Sequence, residues 1–216
     1  MTTRHFSTGD ALQFGWSTLR THLAPLLLLG GAGLVLAMFS QALGRSGAGG
    51  ALFGIVVQAA QVAVTLVMLR VGLRLYDGEA VDLFDPGPLL QGYWYFLAAT
   101  FLYGLVVSVG LLLLIVPGVL WGLTFCFAPL FTAGGQHDLV EAFRESSRLT
   151  RGSRAQLLGL GAALIGLNLL GVLALGVGTV ITVPMSMLAA VYAFRRMQGR
   201  IEAAPAHVPT LTPRSI

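Results

Sequence analysis

The sequence predicts an all-α fold, a polytopic transmembrane bundle of six helices with amphipathic interfacial helices on the cytoplasmic face. Three observations carry that expectation. Only 10% of the residues are charged and 56% are hydrophobic, whereas a soluble domain carries about 25% charge. Two uncharged runs, Tyr93–Gly134 and Ala155–Phe194, hold 42 and 40 residues, each about twice the roughly 20 residues that one crossing needs. The thirteen basic residues, all arginine, recur beside alternate loops.

Taken in order, residues 8–21 read as a short amphipathic helix at headgroup level. Ser7, Thr8 or Asp10 suits its N-cap, and Leu12, Phe14, Trp16 and Leu19 supply apolar bulk. Arg4, Asp10 and Arg20, with no apolar core before a small-residue cleavage site, exclude a secretory signal. Helices at 24–43 and 51–75 follow, split by the Gly-rich loop GRSGAGG. After residue 77, VDLF before a Pro-Gly-Pro break suggests a surface-lying element, and Tyr93, Trp94 and Tyr95 an aromatic belt. The first uncharged run would be about 63 Å long as one helix, against a hydrocarbon core about 30 Å thick. It must turn, and Pro117-Gly118 is the local breaker pair near its middle. That makes helices of 93–116 and 119–133. Residues 138–151 form a second amphipathic helix, with Asp138 as cap and Glu141 in a capping box. Glu141 with Arg144, and Glu145 with Arg148, stand at i,i+3 spacing. The second uncharged run divides at Gly176 and Gly178 into 155–175 and 179–197. Residues 1–198 are thus one membrane domain, and 199–216, with Pro205, Pro209 and Pro213, a disordered cytoplasmic tail.

Arginine placement tests this order independently. With the N-terminus inside, twelve arginines fall on the cytoplasmic side and Arg45 alone falls outside, as the positive-inside rule demands. Reading Pro117-Gly118 as a mere kink would separate Arg144, Arg148, Arg151 and Arg154 from Arg70 and Arg74.

Chemistry is sparse. The single Cys126 excludes a disulfide framework and a cysteine metal cluster. His137 has no second His or Cys at metal-ligand spacing. No nucleophile elbow, P-loop or zinc helix motif occurs, so neither an enzyme, a cofactor nor a metal is expected. The net charge of +4 is carried by topology-setting arginines and does not point to nucleic acid. Arg144, Arg148, Arg151 and Arg154, with Glu141, are the candidate lipid- or partner-binding set. Gln58, Gln61 and Asn168 are candidates for lining an intramembrane polar cavity. Pro129 and Pro184 are expected to kink the fourth and sixth helices, freeing the carbonyls of Phe125 and Val180. Gly118 with Gly122, Gly159 with Ala163, and Ala162 with Gly166 mark close helix contacts.

GLLLLIVPGVLWGLTFCFAPLF, then EAFRESSRLTRGSRAQLL, then a last helix with Pro184 and AAVYAFRRM, form a recognisable order. Over roughly residues 8–198 the chain resembles bacterial six-helix integral membrane proteins related to the membrane domain of glycerophosphoryl diester phosphodiesterases. The resemblance rests on Pro117-Gly118, Ala128-Pro129, Glu141-Ala142, Ser147, Leu149, Gly152 and Tyr192. It implies the fold and a bacterial inner-membrane location. It does not imply the phosphodiester chemistry, which belongs to a separate soluble domain. The expected role is a non-enzymatic accessory, scaffold or lipid-interacting module, partnered by membrane lipids, a membrane protein or a second copy of itself. The alternative is a small permease or exporter with a mid-membrane polar cavity.

Overall fold

Ten helices form among the residues described by the computed structural model, which are 7–43, 47–79, 81, 86–151, 153–174 and 178–199. They are α1 (Thr8–Thr21), α2 (Leu23–Leu43), α3 (Gly47–Asp77), α4 (Pro86–Leu90), α5 (Tyr93–Leu113), α6 (Ile115–Phe125), α7 (Ala128–Ala133), α8 (Leu139–Thr150), α9 (Arg154–Leu173) and α10 (Thr179–Gln198). No strand occurs among the described residues. The all-α bundle is therefore as expected. Gly176, residues 82–84 of the VDLF element and the tail beyond Gly199 lie outside the described residues.

Among the described residues five stretches are long and apolar enough to cross a membrane: Leu23–Gln41, Leu52–Asp77, Gly87–Leu113, Val116–Ala133 and Arg154–Leu173. Their outer faces carry large apolar side chains, with Leu28 75% and Leu112 88% exposed, the surface a lipid-facing bundle presents. α10 stands outside this set because Arg195 and Arg196 occupy its last turn. It is the central helix, packed on α1, α2, α3 and α9. Leu188, Ala189, Val191, Ala193 and Phe194 are fully enclosed there.

Helix α1 is part of the bundle. Its Ser7 cap accepts a hydrogen bond from the Gly9 N–H. Its buried face is Ala11, Gly15, Thr18 and Leu19, not the large residues alone. A Cβ on Gly15 would stand 2.7 Å from the Met185 carbonyl of α10. The two backbones therefore approach as small residues in membrane helices allow. Phe14 packs on Tyr76 and Tyr192, centroids 5.2 and 5.3 Å away, while Trp16 stays exposed.

Three expected boundaries are corrected. α3 begins at Gly47, so the GAGG of the presumed loop is helical. The long run reverses at Leu114, not at Pro117-Gly118. Leu114 is extended (φ −165°, ψ 140°) and serves as the C-cap of α5 and the N-cap of α6. Its N–H donates to the Gly110 carbonyl and its carbonyl accepts from the Gly118 N–H. Pro117 falls in the first turn of α6, where a missing N–H costs nothing. Gly118 has a packing role instead. A Cβ there would meet Leu111 N at 2.5 Å, and one on Gly110 would meet Gly118 Cα at 2.8 Å. Tyr103 donates to the Gly122 carbonyl (3.3 Å), so the hairpin is antiparallel. Finally, the expected helix 119–133 is two helices, α6 and α7, broken at Cys126-Phe127.

Candidate functional site

Proline chemistry builds the first part of the site. Pro129 cannot donate to the Phe125 carbonyl, and its ring crowds that carbonyl. The expected kink is a two-residue interruption at Cys126-Phe127, both still in the right-handed helical region, and Pro129 lies in the first turn of α7. Backbone groups freed inside the protein need partners from within it, and α8 supplies them. Ser146 Oγ donates to the Thr124 carbonyl (2.9 Å) and accepts from the Phe127 N–H (3.2 Å). Thr150 Oγ1 donates to the same carbonyl (3.2 Å). Ala142, Ser146 and Thr150 form the buried stripe of α8. Pro184, in contrast, stays inside α10 as expected. Gly30 of α2 closes on it, a Cβ there standing 2.8 Å from the Val180 carbonyl.

The opposite face of α8 holds the expected charge set. Asp138 caps the helix, accepting from Val140 N (2.9 Å) and Glu141 N (3.2 Å). Arg144 pairs with Glu141 at 3.0 Å and Arg148 with Glu145 at 2.9 Å, with both arginine side chains more than half exposed. Arg151, the C-cap of α8, and Arg154, the first residue of α9, are also exposed. The structure thus gathers all four arginines onto one solvent-facing stretch.

A second group was not legible as a site. Arg70 is only 8% exposed. Its Nε donates to the Ala133 carbonyl of α7 (2.9 Å) and its Nη1 to the Pro88 carbonyl of α4 (2.8 Å). Arg195 of α10 is buried, forms an ion pair with Asp77 of α3 and donates to Gln198 Oε1. These ties join the ends of α3, α7 and α10 around a polar cavity of about 320 Å³. Arg74, Glu79 and Gln91 complete its polar lining, with the Gly134-Gly135 turn beside them. Gly92, at φ 69°, permits the neighbouring α4–α5 turn, since a Cβ there would stand 2.9 Å from His137 Nε2. His137 stacks on Tyr95 at 4.9 Å.

The three candidate cavity residues are not brought together. Gln58 is exposed. Gln61 lines a cavity of about 200 Å³ between α2, α3 and α10 with Gly30, Gly33 and Thr65. Asn168 sits between α9 and α10, donating to the Leu164 carbonyl (2.8 Å) and to Ser186 Oγ (2.7 Å). Tyr93 ties α5 to α3 through the Ala59 carbonyl (2.7 Å), and Trp94 is exposed. Cys126 donates to the Leu123 carbonyl and lines an apolar cavity of about 470 Å³ between α6 and α9. Gly122 faces α5, whereas Gly166 meets nothing within 4 Å. Among the described residues no group of three His, Cys, Asp or Glu is placed to hold a metal.

No protein-family model matches the chain, and neither a curated protein nor a solved structure does. The chemistry must therefore be read from the residues. Exposed arginines at one end can hold anionic groups by charge-assisted hydrogen bonds, and the buried arginines beside them both brace the helix ends and line a polar cavity.

Proposed function

We propose that this membrane protein is a non-enzymatic, lipid-interacting accessory module of a bacterial inner membrane. In this reading α10 is the sixth crossing, both termini are cytoplasmic, and the chain is a relative of the six-helix family named above. One observation carries the functional part. α8 is fastened to the α6–α7 break by Ser146 and Thr150, while Arg144, Arg148, Arg151 and Arg154 are left outward. A basic strip held rigidly at the end of membrane helices suits anionic headgroups, at about 1 kcal/mol per arginine near the surface. The test is lipid retention after gentle extraction. Native mass spectrometry should find anionic phospholipid enriched on the wild-type chain, and that enrichment should vanish when all four arginines become glutamine. Equal enrichment in both proteins would refute the reading. A stoichiometric protein adduct lost in the variant would redirect it to partner docking on the same strip.

The permease reading rests on the cavity at Gln61, whose buried Oε1 has no hydrogen-bond partner among the described residues. A transport pathway requires water there. In a Cys126→Ala background, Gln61→Cys should react with a membrane-impermeant thiol reagent if the chain is a carrier, and should stay unlabelled if it is not.

A further inference from the structure

We propose that the polar cavity between the ends of α3, α7 and α10 is a binding site for a phosphate group, held by Arg74 and Arg70 with Arg195 at its wall. This site is separate from the α8 strip and does not depend on it. Among the described residues three guanidinium groups line the cavity against two carboxylates, Asp77 and Glu79. Asp77 is already committed to Arg195. Arg70 is buried and fixed by two neutral backbone carbonyls through Nε and Nη1, and no carboxylate pairs with it among the described residues. Its Nη2 makes no hydrogen bond among the described residues, and Arg74 makes no ion pair there. A buried cation without a paired carboxylate, as Arg70 is among the described residues, is costly. A bound oxyanion would remove that cost.

Bracing the helix ends accounts for Arg70 Nε and Nη1 and for Arg195. It does not account for Arg74, in the last turn of α3, which contributes a charge to the cavity and makes no ion pair among the described residues. The Arg74 guanidinium fork matches two oxygens of a phosphate and Arg70 Nη2 offers one further donor, an arrangement that favours an anion over a cation. The volume, about 320 Å³, is at the lower end for ligand sites, about 300–1,000 Å³. A phospholipid headgroup and a free phosphate share this chemistry.

The experiment uses the full chain, delipidated in a neutral maltoside detergent. It is titrated separately with inorganic phosphate, glycerol phosphate and short-chain phosphatidylglycerol, with phosphatidylcholine as control, and read by native mass spectrometry. We expect a saturable one-to-one adduct. Arg74→Gln should weaken it about tenfold, the worth of one charged hydrogen bond. Arg74→Lys should recover part of the loss. Arg144→Gln with Arg148→Gln should leave it intact, which separates this site from the α8 strip. Binding of phosphatidylglycerol alone assigns a lipid headgroup, and binding of the two water-soluble phosphates assigns a soluble ligand. A wild-type chain with no saturable adduct, or an adduct indifferent to both Arg74 substitutions, overturns the proposal. The ligand-free Tm of Arg74→Gln should match wild type, because Arg74 makes no ion pair among the described residues.

Discussion

Two groups of arginines stand at one end of this bundle and do different work. On α8, Arg144 and Arg148 are more than half exposed, each paired to a glutamate three residues earlier. At the ends of α3 and α10, Arg70 and Arg195 are buried and reach carbonyls and a carboxylate 63, 18 and 118 residues away in sequence. Water and salt screen the first group, so each of its pairs adds little to stability. The second group has been removed from water, so a broken pair there leaves a stranded charge. The same residue type thus stands on an exposed, water-screened surface in one place and serves as a brace in the other.

Removing the brace should have the largest effect. Arg195→Ala removes a buried side chain with its ties to Asp77 and Gln198 and should cost about 3 kcal/mol, the low end for a broken pair because water reaches the Asp77 carboxylate. Thermal unfolding in detergent measures it. The next effect belongs to the hairpin. Gly118→Ala forces a Cβ to within 2.5 Å of Leu111 N and 2.7 Å of Gly110 C, and overpacking of that kind costs about 2 kcal/mol. Ser146→Ala should follow at about 1 kcal/mol. It strips the Phe127 N–H of its partner while Thr150 still serves the Thr124 carbonyl. Proteolysis or amide exchange at the α6–α7 break should report it before the global Tm does. The smallest effect is on α8 itself. Glu141→Ala removes an exposed i,i+3 pair and should shift stability by at most about 0.5 kcal/mol. A loss from Glu141→Ala as large as that from Arg195→Ala would erase the distinction between the two groups.

The membrane class, the Asp138 cap, the i,i+3 pairs and the unbroken Pro184 helix were legible because each is local or periodic. The reversal at Leu114 was not. Leucine carries no turn signal, and the bend depends on the close approach of Gly110 and Gly118, which a sequence does not display. Pro117 misled because a proline tolerated in a helix's first turn looks the same in sequence as one that ends a helix. Pro129 and Pro184 also look alike. One has the α8 hydroxyls to satisfy a break, and the other stays in a helix closed on by Gly30. On α1 the buried stripe was hidden because small residues make it, while attention falls on Trp16 and Leu12. The Arg70 site was illegible for a further reason: its hydrogen-bond partners are backbone carbonyls, which form no side-chain motif.

The most direct test of the account is thermal unfolding of three proteins in nanodiscs of phosphatidylglycerol or of phosphatidylcholine. They are the wild type, the variant with Arg144, Arg148, Arg151 and Arg154 replaced by glutamine, and Arg195→Ala. The account predicts that anionic lipid raises the wild-type Tm, that the four-arginine variant loses this gain but matches wild type in phosphatidylcholine, and that Arg195→Ala is destabilised in both lipids. An undiminished anionic-lipid gain in the four-arginine variant would contradict the claim that the α8 strip meets the membrane surface.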